Sequence, residues 1–337
     1  MGSMADLNRK FCVAPMMDWS DRHCRYFHRQ LTRHALLYTE MVTADAILRG
    51  DRQRLIGYSP EEHPVALQLG GSDAAKLADA AEIGAAFGYD EINLNVGCPS
   101  DRVQEGRFGA CLMAEPSLVA DCVRAMQSRV SIPVTVKCRI GIDDQDEERD
   151  FQNFIETVAD AGCATFIVHA RKAWLKGLSP KENREIPPLD YPRVYRLKQA
   201  RPCLEIIING GIETLDACDE HLRHVDGVML GRAAYHDPAL LGAVDRRYYN
   251  GDADDVSRAD ALRALIPYAG RHVAAGGKLS NIARHVLGLY HGQTRGRAFR
   301  RHLSEQAVLP GATADVIADA IDIVEGRGQM RGMEAAQ

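Results

Sequence analysis

Cys98 stands in NVGCPS, residues 95–100, between a glycine and a proline and just where an apolar run ends. Such a thiol is either an inert buried cysteine, as Cys12 and Cys163 read, or an acid held ready for a ligand. Gly97 lets the backbone close in on that ligand, and Pro99 stiffens the turn. With an ordinary pKa of about 8.5 a thiol is mostly protonated at neutral pH, yet acidic enough to give the proton up. Two potential cations follow apolar runs in the same way, Lys137 after VTV and His169 after FIV. Gln68, between Leu67 and Leu69, faces away from both if the segment is a strand. Asn209-Gly210-Gly211 and Gly231-Arg232 have the makings of an anion site. Glycines admit backbone N–H groups to the anion, a following helix N-terminus favours its charge, and an arginine adds charge-assisted bonds. Taken singly, each feature also has a plain structural reading: a solvated strand end, a satisfied histidine or glutamine, a turn glycine.

The elements that would carry these residues are eight short apolar runs: FCVAPMMD (11–18), ALLYTEMV (35–42), HPVALQLGG (63–71), YDEINLNVGCP (89–99), IPVTVKCRIG (132–141), ATFIVHAR (164–171), LEIIINGG (204–211) and VDGVMLGR (225–232). Helical patterns such as 73–88 and 151–162 separate them. Runs of nearly continuous hydrophobicity are how strands buried on both faces of a parallel sheet read. Eight such units over 11–249 predict an α/β fold, a (β/α)8 TIM barrel, with a doubly wound sheet as the alternative. From 257 to 325 only helical periodicity remains, predicting a C-terminal all-helical domain behind the linker GDADDVS. Residues 1–10 read as a tag remnant, MGSM, and an N-terminal arm, and 326–337 as a frayed tail.

The 337 residues contain no apolar run of membrane-spanning length and no apolar signal core, so a cytoplasmic protein without membrane attachment is expected. Nine cysteines, with no CxxC pair, suggest neither a disulfide framework nor a zinc site, and no metal is expected. The net charge of −5 argues against general nucleic-acid binding, but it hides an asymmetry. Residues 257–310 hold nine Lys and Arg against two Asp and Glu, a local +7, leaving −12 for the remainder. Only the helical part looks attractive to phosphate.

Barrels of this kind place their chemistry at the C-terminal ends of the strands, and commonly bind phosphate after the seventh and eighth. Here those ends read PMMD, QLGG, NVGCPS, VKCRIG, VHAR, NGG and GR. Donors such as Gln68, Lys137 and His169 suit a planar ligand bearing carbonyl and ring-nitrogen acceptors, and flavin mononucleotide (FMN) combines such a ring with a terminal phosphate.

Together APMMDWSD, LQLGG, NLNVGCPS, VKCRIGID, FIVHARKAWLKGLSPKENREIPPLDY, INGGI and GVMLGRAAY resemble the flavin-dependent tRNA-dihydrouridine synthases, in the family's order and from residue 11 to about 310. KENREIPPLDY resembles the bacterial A subfamily, the tRNA-dihydrouridine(20/20a) synthases. The resemblance implies an enzyme with tightly bound FMN and with NADPH as reductant. Pro15, Met16 and Met17 would line the flavin ring with their backbone, Gln68, Lys137 and His169 would contact it, and Asn209, Gly210, Gly211, Gly231 and Arg232 would hold the phosphate. Cys98 would protonate uracil and Asn95 would contact the target nucleotide. Lys181, Arg184, Arg297 and Arg300 would stand at the subfamily's tRNA-contacting positions. Hydride from the flavin would reach uracil C6 of a flipped-out uridine, leaving an enolate to be protonated at C5 from the opposite face. The expected product is 5,6-dihydrouridine in the tRNA D-loop, at positions 20 and 20a, made by a monomer. An FMN barrel acting on a free pyrimidine would share the flavin site but leaves the basic 257–310 segment unexplained. A non-redox phosphate-binding barrel and an idle RNA-binding module also compete with this reading.

Overall fold

The structure, a computed structural model, describes residues 7–100, 103, 106–249 and 254–326. The expected tag remnant, residues 251–253 of the linker and residues 327–337 of the tail lie outside them. The chain divides into two compact units. One comprises the chain up to Asp18 together with Ala35–Gly231; the other joins Trp19–His34 to the chain from Arg232 onward. The helices at Arg22–Leu31 and Arg232–His236 thus cluster with the C-terminal helices rather than with the strands they follow.

The first unit is a closed parallel barrel. Its strands are β1 (Phe11–Val13), β2 (Leu36–Tyr38), β3 (Val42–Thr43), β4 (Val65–Gly70), β5 (Glu91–Val96), β6 (Val134–Arg139), β7 (Thr165–His169), β8 (Glu205–Asn209) and β9 (Gly227–Leu230). They pair in the order β2-β1-β9-β8-β7-β6-β5-β4, and a β2–β4 pairing closes the ring. Closure rules out a doubly wound sheet. The run 35–42 yields two strands, and β3 pairs only with β4. The break falls at Thr39, whose hydroxyl, not a strand carbonyl, accepts the amide of Gln68 at 3.0 Å.

Helices at Ala74–Phe87, Pro116–Gln127, Arg149–Asp160, Tyr191–Ala200 and Leu215–Leu222 follow β4 to β8. Their ends obey local chemistry. Asp73, Asp190 and Thr214 cap N-termini through side-chain oxygens, and Gly88 closes the first helix in the left-handed region at φ 96°. Every residue of β4, β5 and β9 is buried. Inside the barrel Cys12, Ala14, Leu36, Tyr38, Ala66, Ile167, Ile207 and Met229 form an apolar cluster.

In the second unit, Arg22–Leu31 packs on Arg258–Ala274 and Ser280–Val286, with Tyr26 stacked on Tyr268 at 3.8 Å. Gly296–Gln306, which buries Phe299 and Leu303, packs on Asp315–Glu325. No helix among the described residues is long and apolar enough to cross a membrane.

Candidate active site

Side chains alternate along a strand, so residues two apart share a face. The register aligns Gln68 with Asn93, Asn95 with Lys137, and Arg139 and Asn209 with His169. The runs that look uniformly apolar therefore carry a second, polar face: Glu91, Asn93 and Asn95 on β5, and Thr135, Lys137 and Arg139 on β6.

At the C-terminal ends of the strands, Lys137 Nζ donates to Asn209 Oδ1 at 3.0 Å, and Asn209 Nδ2 donates to the Met229 carbonyl at 2.8 Å. Burial, followed by the charge of Arg139, pushes the Lys137 ammonium down to about 8. Burial, then Arg139 and Lys137, holds His169 well below the usual imidazole range, so it is neutral at neutral pH. Burial also lowers Arg139 to about 10, leaving it charged. Lys137 and Arg139 thus set positive charge beside a neutral imidazole at this end of the barrel.

Cys98 lies on the turn after β5. Asn95 Oδ1 accepts from the amides of Gly97 at 3.1 Å and Cys98 at 3.0 Å, and Cys98 O accepts from Ala110 N at 2.9 Å. Gly109, at φ 74°, allows this last approach, since a Cβ there would stand 2.6 Å from Cys98 O. The thiol donates to Ser100 Oγ at 3.5 Å. Arg139 braces the same turn: Nε donates to Gly97 O at 3.0 Å, and Nη1 to the carbonyls of Lys172 and Asn183, each at 2.9 Å.

After β8, Gly210 and Gly211 take φ values of 117° and 67°, and Tyr191 OH donates to Gly210 O at 2.7 Å. Gly231 adjoins Ala14 and Met16, so the ends of β1 and β9 meet. Pro15 and Met16 are partly covered, and Met17 is 57% exposed. Gln68, 1% exposed, bonds through its carboxamide to Asn93 and Asn95. Lys181 and Arg184 are exposed on the loop after β7, which Asn183 staples by bonding both backbone polar groups of Trp174. In the second unit, Arg232 opens its short helix, while Arg297 and Arg300 lie on the exposed face of Gly296–Gln306. Sequence reasoning passed over Arg139, Asn93, Thr135, Glu91 and Asn183. The period-two alternation in EINLN and TVKCR was the signal for the first four; Asn183 had none.

Residues 12–322 match the family model described as Dihydrouridine synthase (Dus). The chain belongs to the dihydrouridine synthase family. A tRNA-dihydrouridine(20/20a) synthase of Salmonella typhi is 59% identical over 94% of this chain and 95% of its own length. Its namesake in Escherichia coli K12 is 58% identical over 94% and 91%. Among solved structures, a 2-naphthoyl-CoA reductase complex superposes with TM-score 0.55 at 10% identity, covering 70% of this chain and 50% of its own. An old yellow enzyme homologue from Zymomonas mobilis gives 0.51 at 12%, covering 73% and 90%. At such identities these two share the barrel alone. Family membership defines the chemistry: a dihydrouridine synthase saturates the C5–C6 bond of uracil, which takes a hydride at one carbon and a proton at the other.

Proposed function

We propose that the protein reduces uridine of the tRNA D-loop to 5,6-dihydrouridine, at positions 20 and 20a, in the cytoplasm, with FMN as cofactor and NADPH as reductant. The observation that carries this reading is the Cys98 turn, held at the C-terminal ends of the strands beside the buried cations Lys137 and Arg139.

The donor set fits FMN. Pro15, Met16 and Met17 would line the ring with their backbone, and Gln68, Lys137 and His169 would contact it. Asn209, Gly210, Gly211 and Gly231 bring backbone to the phosphate, and Arg232, next in the chain, adds charge. When bound, the flavin supplies the hydride for uracil C6. Cys98 gives its proton to C5, and the positive charge of Lys137 and Arg139 at this end of the barrel stabilises the negative charge that precedes this step. Asn95 orients the target nucleotide as well as the turn. Lys181 and Arg184 on the barrel, and Arg297 and Arg300 in a tRNA-binding helical domain, hold phosphates, and the enzyme acts as a monomer.

Mass spectrometry of nuclease-generated oligonucleotides of tRNA from a strain stripped of its own dihydrouridine synthases, with and without this chain, tests the reading. Dihydrouridine should appear at positions 20 and 20a. Its absence overturns the activity, and its appearance elsewhere overturns the position.

A further inference from the structure

One chain of hydrogen bonds runs through the barrel interior and ends on the Cys98 turn. The amides of Gly97 and Cys98 donate to Asn95 Oδ1 at 3.1 and 3.0 Å. Asn95 Nδ2 donates to Gln68 Oε1, Gln68 Nε2 to Asn93 Oδ1 and Asn93 Nδ2 to Thr135 Oγ1, each at 2.8 Å. Thr135 Oγ1 donates to Glu91 Oε1 at 2.6 Å. The same oxygen accepts Tyr38 OH at 2.7 Å, and Arg9 Nε donates to Glu91 Oε2 at 2.6 Å. Glu91, Asn93, Gln68 and Thr135 are each at most 1% exposed, and Asn95 9%.

The two ends fix the direction. A carboxylate held by arginine only accepts, so Thr135 must donate to it and has lone pairs left for Asn93. Backbone amides only donate, so Asn95 must turn its oxygen to them and its nitrogen to Gln68. Every carboxamide between has one orientation that satisfies both neighbours. The opposite orientation would bury unpaired donors, at a cost that the low local dielectric raises.

We propose that Asn93 and Thr135, with Glu91 as the anchor, are positioning residues for proton delivery: they hold Asn95, and through it the backbone that presents Cys98. Within the chain, neither bonds any residue assigned above to substrate or FMN except Gln68. The proposal rests on the reading of Cys98 as the proton donor.

The test uses holoenzyme carrying Asn93→Leu or Thr135→Val, with Thr135→Ser keeping the hydroxyl and Ile207→Ala as a core truncation off the chain. Three quantities are compared: flavin reduction by NADPH, reoxidation of pre-reduced enzyme by tRNA across pH, and alkylation of Cys98 by iodoacetamide, read by peptide mass spectrometry. The two cutting variants should reduce normally and reoxidise on the order of 10- to 100-fold more slowly, the scale of a small misplacement of a reacting group. Their pH profile and Cys98 alkylation rate should depart from those of Ile207→Ala, while Thr135→Ser stays near wild type. If both cutting variants match Ile207→Ala in every quantity, the proposal is overturned. Wild-type reoxidation by Cys98→Ala would instead overturn the donor assignment, and alkylation, which needs no turnover, then decides the positioning alone. Should neither cutting variant fold, hydrogen exchange of the wild type serves: the Gly97 and Cys98 amides must be protected, and rapid exchange overturns the proposal.

Discussion

Gly210 has no room for a side chain because of His169: a Cβ there would lie 2.5 Å from the imidazole Cδ2 and 2.8 Å from Nε2. Its φ of 117° already disfavours any other residue. Gly231 differs, since a Cβ would meet Ala14 and Met16 only at 3.5 Å. Gly210→Ala should therefore destabilise the flavin-free protein by about 1–3 kcal/mol. Gly231→Ala should leave its melting within about 0.5 kcal/mol of wild type. Reduced FMN retention in Gly231→Ala then reports on the phosphate. Retention as tight as wild type would move the phosphate away from that residue.

Lys137 gives a pH test. Its folded pKa of about 8 lies below the ordinary 10.5, because burial disfavours the charge. Between those values the unfolded chain binds more protons, so stability rises with pH; below about 8 the cost of charging Lys137 is fully present. Compared with Lys137→Met, flavin-free wild type should gain on the order of 1–3 kcal/mol from about pH 7 to about pH 10. Parallel denaturation curves for the two proteins across that range would show that the ammonium is solvated.

Cys98→Ala should fold, retain FMN and be reduced by NADPH at the wild-type rate. Reoxidation by tRNA should slow by about 10² to 10⁴, the usual loss for a positioned general acid. Cys111 is the control, because its thiol is turned to the Phe108 carbonyl at 3.2 Å and burial raises its pKa. If Cys111→Ala slows reoxidation and Cys98→Ala does not, the proton comes from Cys111 and the assignment to Cys98 fails.

Arg297 and Arg300 share the exposed face of an amphipathic helix that buries Phe299 and Leu303. Replacing both with alanine should flatten the dependence of log affinity for tRNA on log salt by roughly one unit for each phosphate no longer neutralised. NADPH oxidation without tRNA should not change. An unaltered slope assigns the two arginines to solvent.

The barrel was legible because eight apolar runs alternate with amphipathic ones, and each run yielded a strand, 35–42 two. The split at Thr39 was not, because it depends on a hydroxyl meeting the amide of a residue far along the chain. Cys98, Lys137, His169 and the glycine ends stand out by position alone. The residues that hold them do not: Asn93 and Thr135 sit inside runs dominated by Ile, Leu and Val, and their pairing depends on strand register. Arg139 shows only as an alternate position, and its three carbonyl partners come from segments that a single strand pattern does not connect. The grouping of Arg22–Leu31 with the C-terminal helices is likewise a tertiary property, since its sequence follows a barrel strand like any other βα unit.

Arg139 also limits how this scaffold can be re-engineered. In a (β/α)8 barrel the connections above the strands normally vary one at a time, and that modularity lets one framework acquire many specificities. Here a single guanidinium spans the connections after β5 and β7 through Gly97, Lys172 and Asn183. A graft that alters either connection changes the seat of the other, so the two are heritable as one cassette with Arg139 as its rivet. Libraries aimed at a new target nucleotide should vary both together, or leave both intact and diversify elsewhere on the rim.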